Sequence, residues 1–204
     1  MLFRSVTALD ADSGKVVGTV ALGGKPEFPV SDGKGKVYAN IEDKGEIIQL
    51  NPSTLQVEKR WSLAPCEEPS GLAIDTSARR LFAVCDNQKM AVVDADSGKV
   101  VAMVAIGNGP DATAYDADKK LVFSSNGQDG TLTVIKQDSA DKYSVVETVP
   151  TEKSARTMTL DSKTHDIYLS AAQFGPAPAA TADNPRPRPK IVPGSFHVLV
   201  VSAH

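Results

Sequence analysis

The chain has 204 residues, 41% of them hydrophobic and 23% charged, a balance that supports a packed core and excludes a disordered or collagen-like polymer. Lys and Arg number 22 against 25 Asp and Glu, a formal charge of -3, so there is no positive excess to hold a polyanionic backbone, and general nucleic-acid binding is not expected. No stretch reaches the ~20 apolar residues of a membrane helix, and the opening residues lack the apolar centre of a secretory signal.

In chain order, the predicted elements are short β-strands bounded by Asp, Ser, Asn, Gly and Pro. Strands at 6–10 and 15–21 flank the turn "DADSG" and form half a unit, 6–21. A full unit follows at 26–63. The next, 69–106, is the clearest, with strands at 71–75, 80–85, 90–94 and 99–106. Another unit spans 110–149. The last, 155–201, offers strands at 155–161, 165–171 and 195–201, and is interrupted at 174–194 by "FGPAPAATADNPRPRPKIVPG". That insertion holds six of the 13 prolines, a composition suited to extended polyproline-like backbone.

The units are copies. "DADSGKVV" at 10–17 returns letter for letter at 94–101, with looser versions from Asn51 and Gln137, a period of about 43 residues. A second landmark runs through Pro26, Pro69, Pro110 and Ala155, and a third through "KVYAN", "RLFAVC", "KLVFSSN" and "DIYLSA". Four antiparallel strands per period describe one blade of a β-propeller, and one small twisted sheet must stack on neighbours to cover its faces. The expected fold is therefore all-β, about four four-stranded antiparallel blades in a single domain.

The segments "MAVVDADSGKVVAMVAIGNGP" and "TALDADSGKVVGTVALGGKP", with "KVYAN" and "KLVFSSN" as the short strand, resemble the YVTN β-propeller repeat family of bacteria, which includes YncE-like periplasmic proteins. The resemblance implies a seven-bladed toroid in a periplasmic or secreted setting. The functions it implies range from binding modules to lactonases and subunits of quinoprotein dehydrogenases. Seven blades need about 28 strands, more than this chain supplies, and it opens partway through a blade. The expectation is a C-terminal fragment whose preceding part carries the export signal.

Candidate functional residues lie where the blades differ at one repeat position. After the landmark proline stand Glu27, Ser70, Asp111 and Arg156; nearby strand ends carry Asn40, Asn87, Ser125, Asn126 and Gln173. These, with Arg186 and Arg188 of the insertion, are expected around the mouth of the central channel, where ligands bind. The leading expectation is a non-enzymatic binding or scaffold module for a protein partner or a small anionic ligand. A lactonase-like hydrolase is the alternative, with a divalent metal such as Ca2+ held by Glu27, Asp111 and Asn126; an accessory subunit of a quinoprotein-type dehydrogenase is another. No nucleophile elbow, HExxH or Cys/His cluster is present. The recurring Asp32, Asp75, Asp116 and Asp161 and the "DADSG" acids read as turn formers, and His165, His197 and His204 as structural. Cys66 and Cys85 fall at one end of a single sheet, open to either a disulfide in an oxidising compartment or two thiols.

Overall fold

The computed structural model describes residues 4–181, 185 and 187–202. They form five antiparallel sheets. The first has two strands, β1 (Ser5–Leu9) and β2 (Val16–Ala21). The second contains β3 (Pro26–Ser31), β4 (Val37–Ile41), β5 (Glu46–Asn51) and β6 (Gln56–Ser62), with a short 3-10 turn at Glu42–Lys44. The third contains β7 (Pro69–Asp75), β8 (Arg80–Cys85), β9 (Lys89–Asp94) and β10 (Val100–Ala105). The fourth contains β11 (Pro110–Asp116), β12 (Leu121–Asn126), β13 (Thr131–Ser139) and β14 (Lys142–Pro150). In the fifth, β15 (Met158–Leu160), β16 (Ile167–Ala171) and β17 (His197–Val201) make a three-stranded sheet. Each strand pairs with its sequence neighbour, and β3, β7, β11 and β15 lie side by side as the innermost strands. The architecture is a partial β-propeller.

Period-two alternation explains how the sheets stack. In β8, Leu81, Ala83 and Cys85 face the second sheet, joining Tyr38, Ile47 and Leu63 in one core. The residues between them, Phe82 and Val84, turn forward to the fourth sheet and pack with Met90, Val92, Val122 and Ile135. The same division gives a core of Phe123, Leu132 and Val134 against the fifth sheet, and one of Val20 and Leu22 against Ala39 and Ile48. The cores therefore lie between sheets. We call the face toward the next sheet in chain order the forward face and the other the rear face.

Three of the innermost strands, β3, β7 and β11, begin with a break in register, between Pro26 and Pro29, Pro69 and Leu72, and Pro110 and Thr113. Backbone freed there is used across sheets. Asn40 Nδ2 donates to the carbonyls of Ser70 (2.9 Å) and Gly71 (3.0 Å), and at the same repeat position Ser125 donates to the carbonyl of Arg156. Gly71 permits the approach: a Cβ there would lie 2.7 Å from the Asp111 carbonyl and 2.8 Å from the Thr113 nitrogen.

At the opposite end, the turns after β3, β7 and β11 are each organised by an aspartate with two tasks. Oδ1 of Asp32, Asp75 and Asp116 accepts backbone N–H groups of its own turn. Oδ2 reaches the next sheet: Asp32 takes Arg79 Nη1 at 3.0 Å, Asp75 takes Tyr115 Oη at 3.2 Å and Gln137 Nε2 at 2.9 Å, and Asp116 meets His165 Nδ1 at 2.7 Å. Arg79 and His165 occupy equivalent turn positions, both at positive φ. The histidine is thus a link between sheets. Burial pushes the Asp32 and Asp75 carboxyls up, but the hydrogen bonds outweigh it and hold both below the usual 3.8.

Candidate functional site

The end at which the innermost strands begin holds a pocket of about 340 Å³. Its wall is charged and follows chain order. The second sheet supplies Lys25, Glu27 and Glu42; the third Glu68, Ser70 and Asp86; the fourth Pro110 and Asp111; and the segment around the fifth Arg156 and Arg188. Acids dominate the earlier sheets and arginines the last.

Several of these charges are already engaged. Lys25 Nζ bridges Glu27 (2.9 Å) and Glu42, and its pKa is raised, first by the Glu42 hydrogen bond and then, against the cost of burial, by Glu27. Arg156 Nη1 stands 3.6 Å from Asp111 Oδ1, while the arginine itself remains largely exposed. Glu68, Asp86 and Arg188 have no ion-pair partner among the described residues. A ligand entering here meets two uncommitted carboxylates on one wall and two guanidinium groups on the other. Such forks match carboxylate or phosphate oxygens.

Glycine makes room for Arg156. Glu42, Asp86 and Gly127 are equivalent, each directly following the second strand of its sheet. Where the other sheets present an acid, a Cβ on Gly127 would lie 2.7 Å from Arg156 Cβ.

The third sheet is pinned at this mouth. Cys66 and Cys85 are joined by a disulfide, with Cα atoms 5.5 Å apart. Asp86 N donates to the Glu67 carbonyl at 2.9 Å, and Asn87 braces the same loop through Nδ2 to the Pro65 carbonyl (2.7 Å) and Oδ1 from Glu67 N (3.3 Å). Glu68, at φ 46, is held between the bridge and Pro69. These contacts fix the two free acids. The proline-rich insertion is clamped at its base by the Phe174–Ile191 bridge, with Gly175 N donating to Lys190 O (2.9 Å) and Val192 N to Gln173 O (2.8 Å). From there Arg188 reaches the pocket.

The residues expected at the mouth divide accordingly. Glu27, Ser70, Asp111, Arg156 and Arg188 line the pocket. Asn40 and Asn126 do not. Asn40 is spent on the Ser70 and Gly71 carbonyls, and buried Asn126 donates to Thr131 Oγ1 (3.1 Å) and Thr133 Oγ1 (2.9 Å) within its own sheet. Gln173 lies apart, beside Glu152 and Phe174, its backbone bonded to Ser195. Arg186 lies outside the described residues. Sequence reasoning missed Lys25, Glu42, Glu68 and Asp86. The signal was available: Lys25 and Glu68 immediately precede the landmark prolines, and Glu42 and Asp86 immediately follow the second strands.

Of the residues expected to hold a metal, Glu27 is paired with Lys25, Asp111 stands 3.6 Å from Arg156, and Asn126 is turned to Thr131 and Thr133 of its own sheet. Among the described residues, the group of acids and histidine close enough to share a cation is Asp116, Asp118 and His165, at the other end. There Asp116 and His165 already bond each other.

No protein-family model matches the chain, and no curated protein matches it in sequence. Among solved structures it is similar to Kuenenia stuttgartiensis hydrazine synthase, a protein that contains a β-propeller, with a TM-score of 0.65 and 11% identity. The match covers 74% of this chain and 43% of that one, so the chain spans less than half of its neighbour's length. At this identity the likeness is one of fold.

Proposed function

We propose that the chain is a non-enzymatic binding module of the YncE-like, YVTN-repeat type, taking a small polar ligand or the terminus of a peptide partner at the mouth pocket. One observation carries this reading: Arg156 and Arg188, from two separate segments around the last sheet, enter a single pocket whose facing wall offers Glu68 and Asp86, which have no ion-pair partner among the described residues. Charges of both signs on opposite walls suit a ligand that is itself doubly charged. Its anionic group lies against the arginines and its ammonium or other cationic group against the acids. A purely anionic ligand would face five carboxylates with three cations to offset them, which disfavours it. A disulfide that braces the acidic wall supports an oxidising, exported location.

The test is a panel of free amino acids, short peptides and sugar acids, measured by thermal shift and titration calorimetry. A zwitterionic member of the panel is expected to bind. Arg156→Ala should weaken it roughly tenfold to a hundredfold, the value of a charge-assisted hydrogen bond, with the melting temperature nearly unchanged because the side chain is exposed. Failure of every zwitterion, or equal binding by Arg156→Ala and Arg188→Ala, overturns the reading.

A further inference from the structure

The turns that follow the innermost strands share one design, and the interface between the fourth and fifth sheets departs from it at two positions. Two residues after the turn aspartate stand Lys34, Ser77 and Lys163 in the second, third and fifth sheets, but Asp118 in the fourth. Four residues after it, at positive φ, stand Arg79, Lys120 and His165 in the third, fourth and fifth. Arg79 reaches back to Asp32 as a permanent cation, whereas the side chain that reaches back to Asp116 is an imidazole. An extra acid on one turn and a histidine on the next therefore meet at a single place.

The ligand atoms of Asp116, Asp118 and His165 lie within 4.8 Å of one another. Asp116 is only 3% exposed. Its Oδ1 accepts the N–H groups of Asp118 and Lys119, which leaves Oδ2 aimed at His165 Nδ1, 2.7 Å away. The Asp118 carboxylate is exposed and has no ion-pair partner among the described residues. Two carboxylates and a neutral imidazole carry the charge that balances one divalent cation. The other charged side chains on the cavity that Asp116 and His165 line are Lys119 and Glu147, of opposite sign.

We propose that Asp116, Asp118 and His165 hold a divalent transition-metal ion of the zinc class between the fourth and fifth sheets. An imidazole with carboxylates suits such an ion, whereas calcium takes about six to eight oxygen ligands. The ion replaces the proton shared by Nδ1 and Oδ2, leaving His165 neutral with its proton on Nε2. A tetrahedral ion about 2.0–2.2 Å from each ligand spaces them about 3.3 Å apart, so the Asp116–His165 pair opens by roughly half an ångström. Asp118, at the surface, swings in to complete the set, and solvent takes the fourth position. The ion clasps the turn of one sheet to the turn of the next, at the end of the molecule away from the mouth pocket.

The test titrates the full chain with zinc chloride and, in parallel, with calcium chloride, by calorimetry and thermal shift. Zinc should bind, raise the melting temperature and shift the His165 ring resonances in NMR spectra; calcium should bind far more weakly. His165→Arg gives this interface the link that Arg79 makes to Asp32, so the fold should survive, checked by circular dichroism, while zinc binding is lost. Asp118→Ser matches the equivalent Ser77 at an exposed position. It should weaken zinc binding roughly 10–100-fold or more, since loss of even an outer partner of a metal ligand costs that much. A wild-type chain that does not bind zinc overturns the proposal, as does a zinc affinity unchanged in either variant or calcium bound as tightly as zinc.

Discussion

Gly71 and Gly127 show how much at the mouth is decided by missing methyl groups. Gly71 lets β7 and β11 approach until a Cβ would touch backbone, which cannot yield as a flexible side chain can. Gly71→Ala should cost about 1–3 kcal/mol through forced displacement, read as a lower urea midpoint. Gly127→Ala acts on Arg156 instead, so ligand affinity should fall more than stability. His197 provides a titration. Its Nδ1 bonds the Ser195 carbonyl and its Nε2 meets Glu152 at 3.0 Å, and these contacts, the carbonyl first, raise its pKa above 6.5. The stabilisation is present in full below the unfolded value and lost as pH rises through the folded one. NMR titration should place its midpoint above 6.5, and Glu152→Gln should bring it down. An unshifted midpoint would mean that the contact is absent in solution.

At the scale of elements, the turns and the pinned loop divide labour between the two ends. The Asp32, Asp75 and Asp116 turns couple neighbouring sheets away from the pocket, so acid should weaken the stack from that end. The Asp32 and Asp75 carboxyls are held below 3.8, so their contribution is full above the ordinary aspartate range and is lost as pH falls through their depressed values. Urea midpoints measured from neutral to acidic pH should decline there, and Asp75→Asn should flatten the slope. The Cys66–Cys85 bridge acts at the other end. Closing a separation of 19 residues should contribute about 3 kcal/mol in the chain-entropy picture. The Cys66→Ser, Cys85→Ser double variant should lose that stability, and ligand affinity as well, since Glu68 and Asp86 flank the bridge. The strands were legible in the sequence because alternation and the repeated "DADSG" turn act locally. The pocket was half legible. Residues beside the prolines were placed well, but Asn40 and Asn126 still lie within the strands, where they are spent on the next sheet's backbone and on Thr131 and Thr133, and it is the residues just past the strand ends, Glu42 and Asp86, that reach the mouth.

For the molecule as a whole, stability resides between sheets, and changes there should act cooperatively. Phe82 is buried with ring centroids 5.3 Å from Tyr115 and 5.7 Å from Tyr143 in the next sheet. Phe82→Ala should cost about 3–5 kcal/mol, melting the third and fourth sheets together, as hydrogen exchange would report. The repeat already brought Glu27, Asp111, Arg156 and Arg188 to one mouth; what the sequence could not disclose was how the charges there divide, with Lys25 engaged by Glu27 and Glu42 and Arg156 near Asp111, since such partners are settled only after the sheets have stacked.

The clamped base of the proline-rich insertion has a practical corollary. Backbone bonds between Gly175 and Lys190 and between Gln173 and Val192 bring the two stems together before the excursion begins, and the core of the last sheet draws on β16 and β17 outside it. Foreign peptides spliced between Gly175 and Lys190 would be displayed beside the pocket on a ready-made stem, while Phe174, Ile191 and the strands beyond keep their places. The excursion is in this sense a grafting port, through which recognition can be rewritten without rebuilding the scaffold beneath it.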